Sequence, residues 1–384
     1  MAVIIRIYDL PTEEAPFFVS RGLVTGASSI RLVERHYIPG YFTVEVPTGA
    51  RHAQELLEGR VLLVDGAFWG IVDDVGYKAE TAGDILTVSG RQLKGLTADR
   101  ITIPPGSTAV SGAQGYDTAT GSTETVIKHF VAGNMSNADQ PARVVFGLEI
   151  ATDQGRGLAD DKYMCRHEPL DTVLSALGEA SGLGYDIVPD LTRHKLVFDV
   201  VPGENHTGGQ SARTRVVFDV ARKTALAQAY AHNTSDARNL FYVTMGGAEF
   251  EDEALTVTYV RDGEDEPAGI RRREVHMELS VDTPAAGDEY NELKRLALIE
   301  AENYRPAESF TCEVPPGGRY KYREDYEVGD LVTVRNAAWG VTMDARLTEM
   351  ETQYSASGIT LTATFGKAPL TVFGRLQRQI RKGS

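Results

Sequence analysis

Hydrophobic and polar residues alternate through most of residues 1–90, a pattern typical of strands with one buried face. Turn signals such as Pro39-Gly40 and Asp65-Gly66 separate the alternating runs. The predicted strands cover residues 3–8, 29–36, 41–46, 61–64, 68–77 and 85–89. Within this span only residues 52–57 have a helical pattern, so the sequence predicts a small β-barrel or sandwich.

Residues 84–105, DILTVSGRQLKGLTADRITIPP, have the pattern of a structural joint. An alternating strand runs into Gly90, a short amphipathic turn follows with Leu93 and Leu96, and a second strand stops at Pro104-Pro105. The stretch contains no nucleophile beside a base, no cluster of metal-ligand residues and no phosphate-binding loop. It therefore predicts packing between two regions rather than chemistry.

Helical and strand patterns mix after this joint. Residues 106–122 are rich in Gly, Ser, Thr and Ala, which predicts a surface loop. A helix is expected from Ser122, whose hydroxyl can cap it. A second helix is expected over 169–181, with Pro169 at its start and Gly182 after its end. Strands are predicted over 143–150, 184–188 and 194–201, with a polar loop through 161 and a turn at 189–190.

The strand pattern returns in the second half of the chain, over residues 214–220, 239–245, 255–260 and 274–281. A helix is predicted over 288–304, because Leu293, Ala297 and Glu300 have helical spacing. The last predicted strands cover 309–314, 331–335, 343–354 and 358–365. A short loop joins the final two strands, which predicts a hairpin.

These patterns predict an α+β protein that is predominantly β, with two small β-barrel-like domains and inserted α+β modules. The predicted divisions are an N-terminal β-barrel-like domain over 1–95, an α+β module over 96–205, a β-rich region with a helix over 206–305, and a C-terminal β-barrel-like closing element with a basic tail over 306–384. At about 100–200 residues per domain, the 384 residues are enough for several domains.

Composition places the chain among ordinary globular proteins, with 42% hydrophobic and 24% charged residues. Its apolar runs are far shorter than the about 20 residues that span a bilayer, so no membrane span is expected. The N-terminal segment MAVIIRIYDL predicts a strand rather than a signal peptide. Two cysteines, Cys165 and Cys312, cannot build a disulfide framework, which indicates a protein made in a reducing cytoplasm.

The chain is acidic, with 39 Lys and Arg against 54 Asp and Glu and a formal net charge of −15. Such a charge repels DNA and argues against nucleic-acid binding through basic patches. Residues 375–384, RLQRQIRKGS, are the exception. They form either a short amphipathic helix that docks on an acidic partner or a solvated tail.

Cys165-Arg166-His167-Glu168 is the best catalytic candidate, because a thiol, an imidazole and a carboxylate follow one another. Neighbours in sequence are nevertheless poorly placed for a Cys–His pair, whose members usually come from separate elements. One Cys and one His also fall short of a zinc site. Glu168 is better explained as a favourable charge at the start of the following helix.

Other patterns carry less chemistry. The glycines at 155–160 and 182–186 lack the strand–glycine–helix context of a nucleotide site, and the carboxylates at 249–253 lack calcium-loop spacing and predict a solvated hairpin tip. Trp69 and Trp339 each precede Gly in similar contexts, AFWGIVDD and AAWGVTMD. They predict core or corner aromatics of two similar barrels, or else a sugar-stacking platform. No catalytic, cofactor-binding or metal-ligating residue is assigned, and no cofactor is expected.

Two packing motifs carry a resemblance to a known family. The first is Ser89-Gly90-Arg91, Leu93, Leu96 and Arg100-Ile101, and the second is Val328-Gly329-Asp330 followed by the closing hairpin. Both resemble tail-hub proteins of long-tailed (siphovirus) bacteriophages, which are similar to the central baseplate hub of contractile tails. The order of regions extends this resemblance over nearly the whole chain.

The resemblance implies a structural virion protein that is not an enzyme. It would form a homotrimeric ring at the tail tip, adapt the sixfold tube to the threefold tip, and let the genome pass without specific binding. Its implied partners are the distal tail protein, the tape measure protein and tip or receptor-binding proteins, and its assembly would take place in the bacterial cytoplasm. An acidic channel would let DNA slide without sticking.

Two alternatives remain open at this stage. A glycan or peptidoglycan hydrolase would need two carboxyls about 5–10 Å apart, one with a raised pKa. A carbohydrate-binding module would need exposed aromatic residues clustered on loops, whereas the aromatic residues here, 8% of the chain, fall mainly on predicted strands.

Overall fold

The computed structural model describes residues 3–79, 81, 83–106, 115–159, 161–245, 256–260, 266–279, 293, 294, 297, 301 and 304–366. The chain forms two compact units. One unit comprises Met1–Ala229 with Thr311–Phe365, and the other comprises Tyr230–Phe310 with Gly366–Ser384. The finer division at residues 95, 205 and 305 stays a prediction.

The fold is predominantly β with few helices, as predicted. The strands are β1 (Ile5–Asp9), β2 (Val19–Val24), β3 (Ser29–Arg35), β4 (Tyr41–Pro47), β5 (Val61–Val64), β6 (Phe68–Lys78), β7 (Ile85–Gln92), β8 (Asp117–Gly121), β9 (Leu148–Ile150), β10 (Asp161–Cys165), β11 (Gly184–Asp190), β12 (Lys195–Val201), β13 (Val217–Phe218), β14 (Ala227–Asn233), β15 (Leu240–Met245), β16 (Thr256–Val260), β17 (Glu274–Leu279), β18 (Ala307–Val314), β19 (Leu331–Asn336), β20 (Val341–Ser355) and β21 (Gly358–Gly366). Within the described ranges, the helices with defined bounds are α1 (Thr123–Val131) and α2 (Leu170–Ser181), with short 3-10 segments at Ala53–Glu55, Leu93–Asp99, Pro141–Arg143, Val220–Arg222 and Gly269–Arg271 and a π segment at Ala132–Ser136.

The N-terminal strands form an antiparallel sheet in the order β3-β4-β7-β6-β5-β1-β2. Alternate side chains point into one apolar core, as the period-two pattern requires. This core contains Ile5, Ile7, Ile30, Leu32, Phe42, Val44, Val46, Leu62, Val64, Phe68, Leu86 and Val88. The shared core agrees with the alternating pattern of residues 1–90, and the barrel-like domain over 1–95 stays a prediction.

Strand β20 joins the end of the chain to this sheet. On one side it pairs with its hairpin neighbour β21, and on the other it pairs antiparallel with β3, with Glu349 opposite Arg35 and Gln353 opposite Arg31. The beginning of β20 pairs with β19, which in turn pairs with β13. The closing hairpin therefore continues the N-terminal sheet.

One face of the strands β21, β20, β3, β4 and β7, taken in this spatial order, is polar. We call it the polar face, and the strand register places these residues on it: Thr360, Thr362, Thr364, Glu349, Glu351, Gln353, Arg31, Val33, Arg35, Tyr41, Thr43, Glu45, Thr87, Ser89 and Arg91. All of these side chains except Val33 are exposed or half-buried. The opposite face of the same strands carries the apolar core.

The module between the N-terminal sheet and β13 packs α1 and α2 around β11-β12-β9, with β8 and β10 paired beside them. Ser122 caps α1 by accepting a hydrogen bond from the Thr125 amide at 3.2 Å, as its sequence predicts. Pro169 precedes α2, and Gly182 ends it in the left-handed conformation with φ of +78°. The capping signals therefore predict where α1 begins and where α2 begins and ends.

The second unit contains the sheet β16-β15-β17. The predicted helix over 288–304 is described at residues 293, 294, 297 and 301, which are helical. Leu293, Ala297 and Ala301 are buried against Phe241 and Met277. Their four-residue spacing presents one apolar face to the sheet.

Several elements differ from the sequence prediction. Strand β8 occupies part of the segment 106–122 that was predicted as a loop, and β10 begins at Asp161, where the predicted polar loop ends. Strands β2 and β14 lie where no element was predicted, and residues 52–57 form only a 3-10 turn. Pro189 and Asp190 belong to β11, so the turn to β12 lies after them. Ile101 makes an isolated bridge with Pro169 in place of a second strand in the joint. Short or edge strands bury few side chains and so leave a weak alternating signal.

Candidate functional site: the joint between the sheet and the α+β module

The predicted joint begins with a close approach of two strands. A Cβ atom on Gly90 of β7 would lie 2.0 Å from the Ile71 carbonyl oxygen of β6 and 2.9 Å from the Phe42 ring. Only glycine fits this crossing. The next residue, Arg91, makes a bidentate ion pair with Asp99 at 2.6 and 2.8 Å, which closes the 3-10 turn Leu93–Asp99 back onto β7.

Lys94 is the buried centre of the joint, with 2% of its surface exposed. Its Nζ donates hydrogen bonds to the carbonyl oxygens of Arg35 at 2.5 Å, His36 at 3.1 Å and Tyr185 at 3.0 Å, and it lies 5.1 Å from the centre of the Tyr185 ring. Burial lowers the pKa of Lys94 to about 8. One ammonium group thus ties the end of β3 to β11 of the module.

His36 fills a slot between two glycines beside this lysine. A Cβ on Gly184 would lie 2.4 Å from the His36 ring, and a Cβ on Gly329 would lie 2.6 Å from it. His36 Nε2 is 3.3 Å from the carbonyl oxygen of Gly182. Burial lowers the pKa of His36 to about 3, so the ring is neutral near pH 7. Because a carbonyl oxygen can only accept, Nε2 carries the proton and donates this bond.

The closing element enters the joint through Gly329 and Asp330, two residues of the second packing motif. Gly329 has φ of +104° and its amide donates to the Leu347 carbonyl oxygen at 2.8 Å. Asp330 is 1% exposed, and its two carboxylate oxygens accept from the Glu204 amide at 2.6 Å and the Glu327 amide at 2.9 Å. Three regions far apart in sequence therefore meet around His36.

The catalytic candidate Cys165-Arg166-His167-Glu168 lies beside this joint and is part of its packing. The His167 amide donates to the Thr102 carbonyl oxygen at 2.8 Å, and the Glu168 amide donates to Thr102 Oγ1 at 3.1 Å. Cys165 lies on β10 with no exposed surface, and burial raises the pKa of its thiol to about 12. A thiol that stays protonated is a poor nucleophile.

We expect both cysteines of the native protein to react very slowly with a thiol reagent at pH 8. Burial also raises the pKa of Cys312 to about 12, and neither side chain is exposed. Titration with a chromogenic disulfide reagent should detect two thiols in urea and almost none without it. Rapid labelling of Cys165 in the folded protein would contradict its buried, protonated state and would make it a candidate nucleophile again.

Charged side chains anchor α1 to its neighbours. Glu124 is fully buried and accepts from Arg156 Nε at 2.8 Å and from Lys128 Nζ at 2.6 Å. Asp199 completes this cluster by pairing with Lys128 at 2.8 Å. Arg156 belongs to the glycine stretch 155–160, so the buried carboxylate of Glu124 holds that stretch in place.

A cavity of about 210 Å³ opens near the joint. It is lined by Ile103, Pro104, Pro105, Asp117, His129, Ala132, Gly133, Asn137, Asp139, Gln140 and Arg143. The 2.7 Å contact of His129 Nε2 with the buried Asp117 carboxylate raises the pKa of His129. Within the described part of the chain, no group of three or more His, Cys, Asp or Glu residues is placed to hold a metal ion.

The two tryptophans of the sequence echo have different environments. Trp69 lies on β6, half-buried, with its ring 5.9 Å from that of Tyr8, and both rings pack against the apolar core that includes α1 and α2. Trp339 lies in the turn between β19 and β20 and is 50% exposed, rather than on a strand. The carboxylates at 249–253, the loop residues 107–114 and the basic tail at 375–384 lie outside the described residues.

Sequence patterns identified the joint but missed its central residues. Lys94 had a weak signal, a lone cation between the apolar residues Leu93 and Leu96 of a short turn. His36 had none, because its slot is formed by Gly184 and Gly329, which are distant in sequence.

Comparison with known families decides what kind of protein carries this joint. Residues 4–367 match the family model described as Siphovirus ReqiPepy6 Gp37-like protein. The chain belongs to this family. The predicted membership of a tail protein family of long-tailed phages is thereby confirmed.

Solved structures of phage tail proteins share the fold of this Gp37-like protein. The 43 kDa tail protein of prophage MuSo2 from Shewanella oneidensis is 14% identical with a TM-score of 0.57, and 95% of this chain and 98% of that chain are covered. The tail protein from Neisseria meningitidis MC58 is 13% identical with a TM-score of 0.57, covering 96% and 97%. The prophage tail protein gp18 from Listeria monocytogenes EGD-e is 10% identical with a TM-score of 0.51, covering 100% and 99%.

At these identities the likeness establishes the fold alone. A search of curated protein sequences found no match to this Gp37-like chain. In the part of the chain that the structure describes, no helix has the length and apolarity needed to cross a bilayer.

Proposed function

We propose that this phage tail protein is a structural hub. In this proposal it forms a trimeric ring at the distal end of the tail, adapts the sixfold tube to the threefold tip and provides the channel through which DNA leaves. The role is geometric rather than catalytic, and it belongs to the assembled virion. Assembly takes place in the host cytoplasm.

The observation that carries this proposal is the continuous hydrogen-bonded sheet from the N-terminal strands to the closing hairpin. Strand β20 pairs with β3 over residues 349–354, and Lys94, His36 and Asp330 secure the same region from inside. Packed interiors resist deformation and transmit force. A ring subunit that bears load between a tube and a tip needs such rigid coupling.

The proposed partners follow from this position in the tail. They are two further copies of the chain, the distal tail protein, the tape measure protein and the tip or receptor-binding proteins. Genome DNA passes through without specific binding. The chain has a net charge of −15, and this negative charge repels DNA, which supports passage of the genome without binding.

Hydrolysis and glycan binding receive less support. A hydrolase needs a carboxylate free to act as acid or nucleophile. The most deeply buried carboxylates near the joint are occupied, Asp330 by backbone amides and Glu124 by Arg156 and Lys128. Trp339 is exposed, but a single ring gives little area for stacking a sugar.

The native mass in solution tests the ring directly. We expect about 125 kDa by light scattering on a sizing column, three times the 41.8 kDa of one chain. A closed ring adds no further subunits, so this mass should be the same at all protein concentrations well above the dissociation constant of the trimer. A monomer at all concentrations would contradict the proposal, and so would a stable dimer.

A further inference from the structure

A second cleft beside the joint is lined by two arginines. It forms where the 3-10 turn Leu93–Asp99 ends, because the isolated bridge between Ile101 and Pro169 holds the next residues against the start of α2. The cleft has a volume of about 360 Å³. Its lining includes Asp99, Arg100, Ile101, Ala142, Arg143 and Pro169, and we call it the arginine cleft.

Neither arginine of the arginine cleft forms an ion pair with a residue that the structure describes. Arg100 donates from Nε to the Arg143 carbonyl oxygen at 3.3 Å and from Nη1 to the Asp99 carbonyl oxygen at 3.2 Å. Arg143 donates from Nη2 to the Ile101 carbonyl oxygen at 2.5 Å and to Asn134 Oδ1 at 3.2 Å. Because a guanidinium group carries five N–H donors, both arginines keep donors for a ligand.

The Arg143 side chain is held in position before any ligand binds. Asn134, which accepts from it, is fully buried. The Asn134 side-chain amide donates to the Phe130 carbonyl oxygen at 2.9 Å, and its Oδ1 also accepts from the Ile103 amide at 3.0 Å. A binding group that is fixed in advance loses little freedom when its partner arrives.

The positive charge of the arginine cleft is not cancelled locally. Burial and the nearby charge of Arg100 lower the pKa of Arg143, which shows that the two cations act on each other. The Asp99 carboxylate in the lining is already taken by Arg91, at 2.6 and 2.8 Å. Adjacent like charges repel, and a bound anion would remove that repulsion.

We propose that the arginine cleft binds an acidic segment of another protein, with a carboxylate held between Arg100 and Arg143. Arginine binds carboxylates through paired N–H donors, and arginine clusters recognise acidic motifs. Ile101, which is 37% exposed, and Pro169 offer an apolar contact beside the charges that suits a peptide. The net charge of −15 repels a long polyanion such as DNA more than a short acidic segment.

Fluorescence anisotropy of a short labelled peptide, in which glutamate and leucine alternate, tests the site on the full-length protein. We expect the unmodified protein to bind this peptide saturably at about 150 mM salt. The variants R100Q and R143Q should each lose affinity at least about tenfold, since each removes a charged hydrogen-bond donor. A peptide with glutamine in place of glutamate should bind less tightly by a similar factor.

R215Q is the matched control for loss of one positive charge. Arg215 is exposed, lies outside the arginine cleft and also donates to a carbonyl oxygen, that of Gln210 at 2.7 Å. R215Q should bind the peptide as the unmodified protein does. I101E is a second test, because R143Q also loses internal hydrogen bonds. Its new carboxylate would compete for the arginines and weaken peptide binding while both arginines stay in place.

Weaker binding by R100Q, R143Q and I101E, with R215Q unchanged, supports the inference. No binding to the unmodified protein, an equal loss in R215Q, or equal binding of the glutamine peptide overturns it. A short single-stranded DNA that binds the unmodified protein but not R100Q would assign the arginine cleft to nucleic acid and would also overturn it.

The native mass of each sample keeps this inference separate from the hub proposal, since the arginine cleft lies within one unit of a single chain. A monomer that binds the peptide contradicts the hub and supports the acidic-segment site. A trimer that fails to bind the peptide overturns the site and leaves the hub standing. A trimer that dissociates in R100Q assigns the arginine cleft to contact between copies, which overturns the inference.

Discussion

Replacing Gly329 by alanine is expected to lower the free energy of unfolding by about 3 kcal/mol or more. Gly329 has φ of +104°, which side chains rarely adopt, and its new Cβ would lie 2.6 Å from the His36 ring. The ring has little room to move aside, because it is packed between Gly329 and Gly184. Urea unfolding followed by tryptophan fluorescence measures the loss, since Trp69 and Trp339 both lie in this unit.

Gly26→Ala is the matched control for backbone strain. Gly26 has φ of +83° and no atom within 4 Å of a Cβ, so it pays the conformational cost without a clash. Adding His36→Ala to Gly329→Ala should recover part of the loss, because the two residues are in contact. Equal costs for Gly329→Ala and Gly26→Ala would show that the slot around His36 does not constrain the joint.

Lys94→Met should make the stability of the protein respond differently to pH. The pKa of Lys94 is about 8 in the folded protein and 10.5 as a free side chain. Between these values the unfolded chain holds more protons, so the free energy of unfolding rises with pH. Lys94→Met lacks the titrating amine, so its free energy of unfolding should not show this rise with pH. It also removes the hydrogen bonds that the ammonium group donates to three carbonyl oxygens, which costs about 2 kcal/mol or more in total.

Unfolding of both proteins at pH 7 and at pH 9.5 measures this effect. The advantage of the unmodified protein over Lys94→Met should grow as pH rises through 8. Lys195→Met is the control, because Lys195 is half-exposed and pairs with Glu149 across 3.6 Å. A difference between the unmodified protein and Lys94→Met that stays constant with pH would contradict the buried position of this ammonium group.

Local signals in the sequence predicted the local structure well. Ser122 begins α1, and Pro169 and Gly182 bound α2, because capping depends on a few neighbouring residues. The edge strand β14 was missed, since it buries no side chain and carries Ala and Gln where a buried strand would carry larger apolar residues. Its pairing is a tertiary effect.

The site could be predicted only in part for the same reason. Gly90 approaches the neighbouring strand β6, and Arg91 pairs with Asp99 only eight residues away. Because these partners are near in sequence, the motif could be recognised along the chain. The slot for His36 is formed by Gly184 and Gly329, about 150 and 290 positions away, and the Arg31–Glu351 ion pair spans 320 positions, so no local pattern records either. Lys94 was hidden differently, since lysine in a turn is ordinarily solvated and only its three carbonyl partners explain its burial.

The pairing of β20 with β3 has a consequence for synthesis. The N-terminal sheet receives its last neighbour from residues 349–354, so it cannot be completed until most of the chain has left the ribosome. A chain that stops earlier keeps the main-chain groups of β3 unpaired and open to proteases and chaperones. We therefore expect chains that stop before residue 349 to be degraded faster than the full chain, because the N-terminal sheet then lacks its last strand.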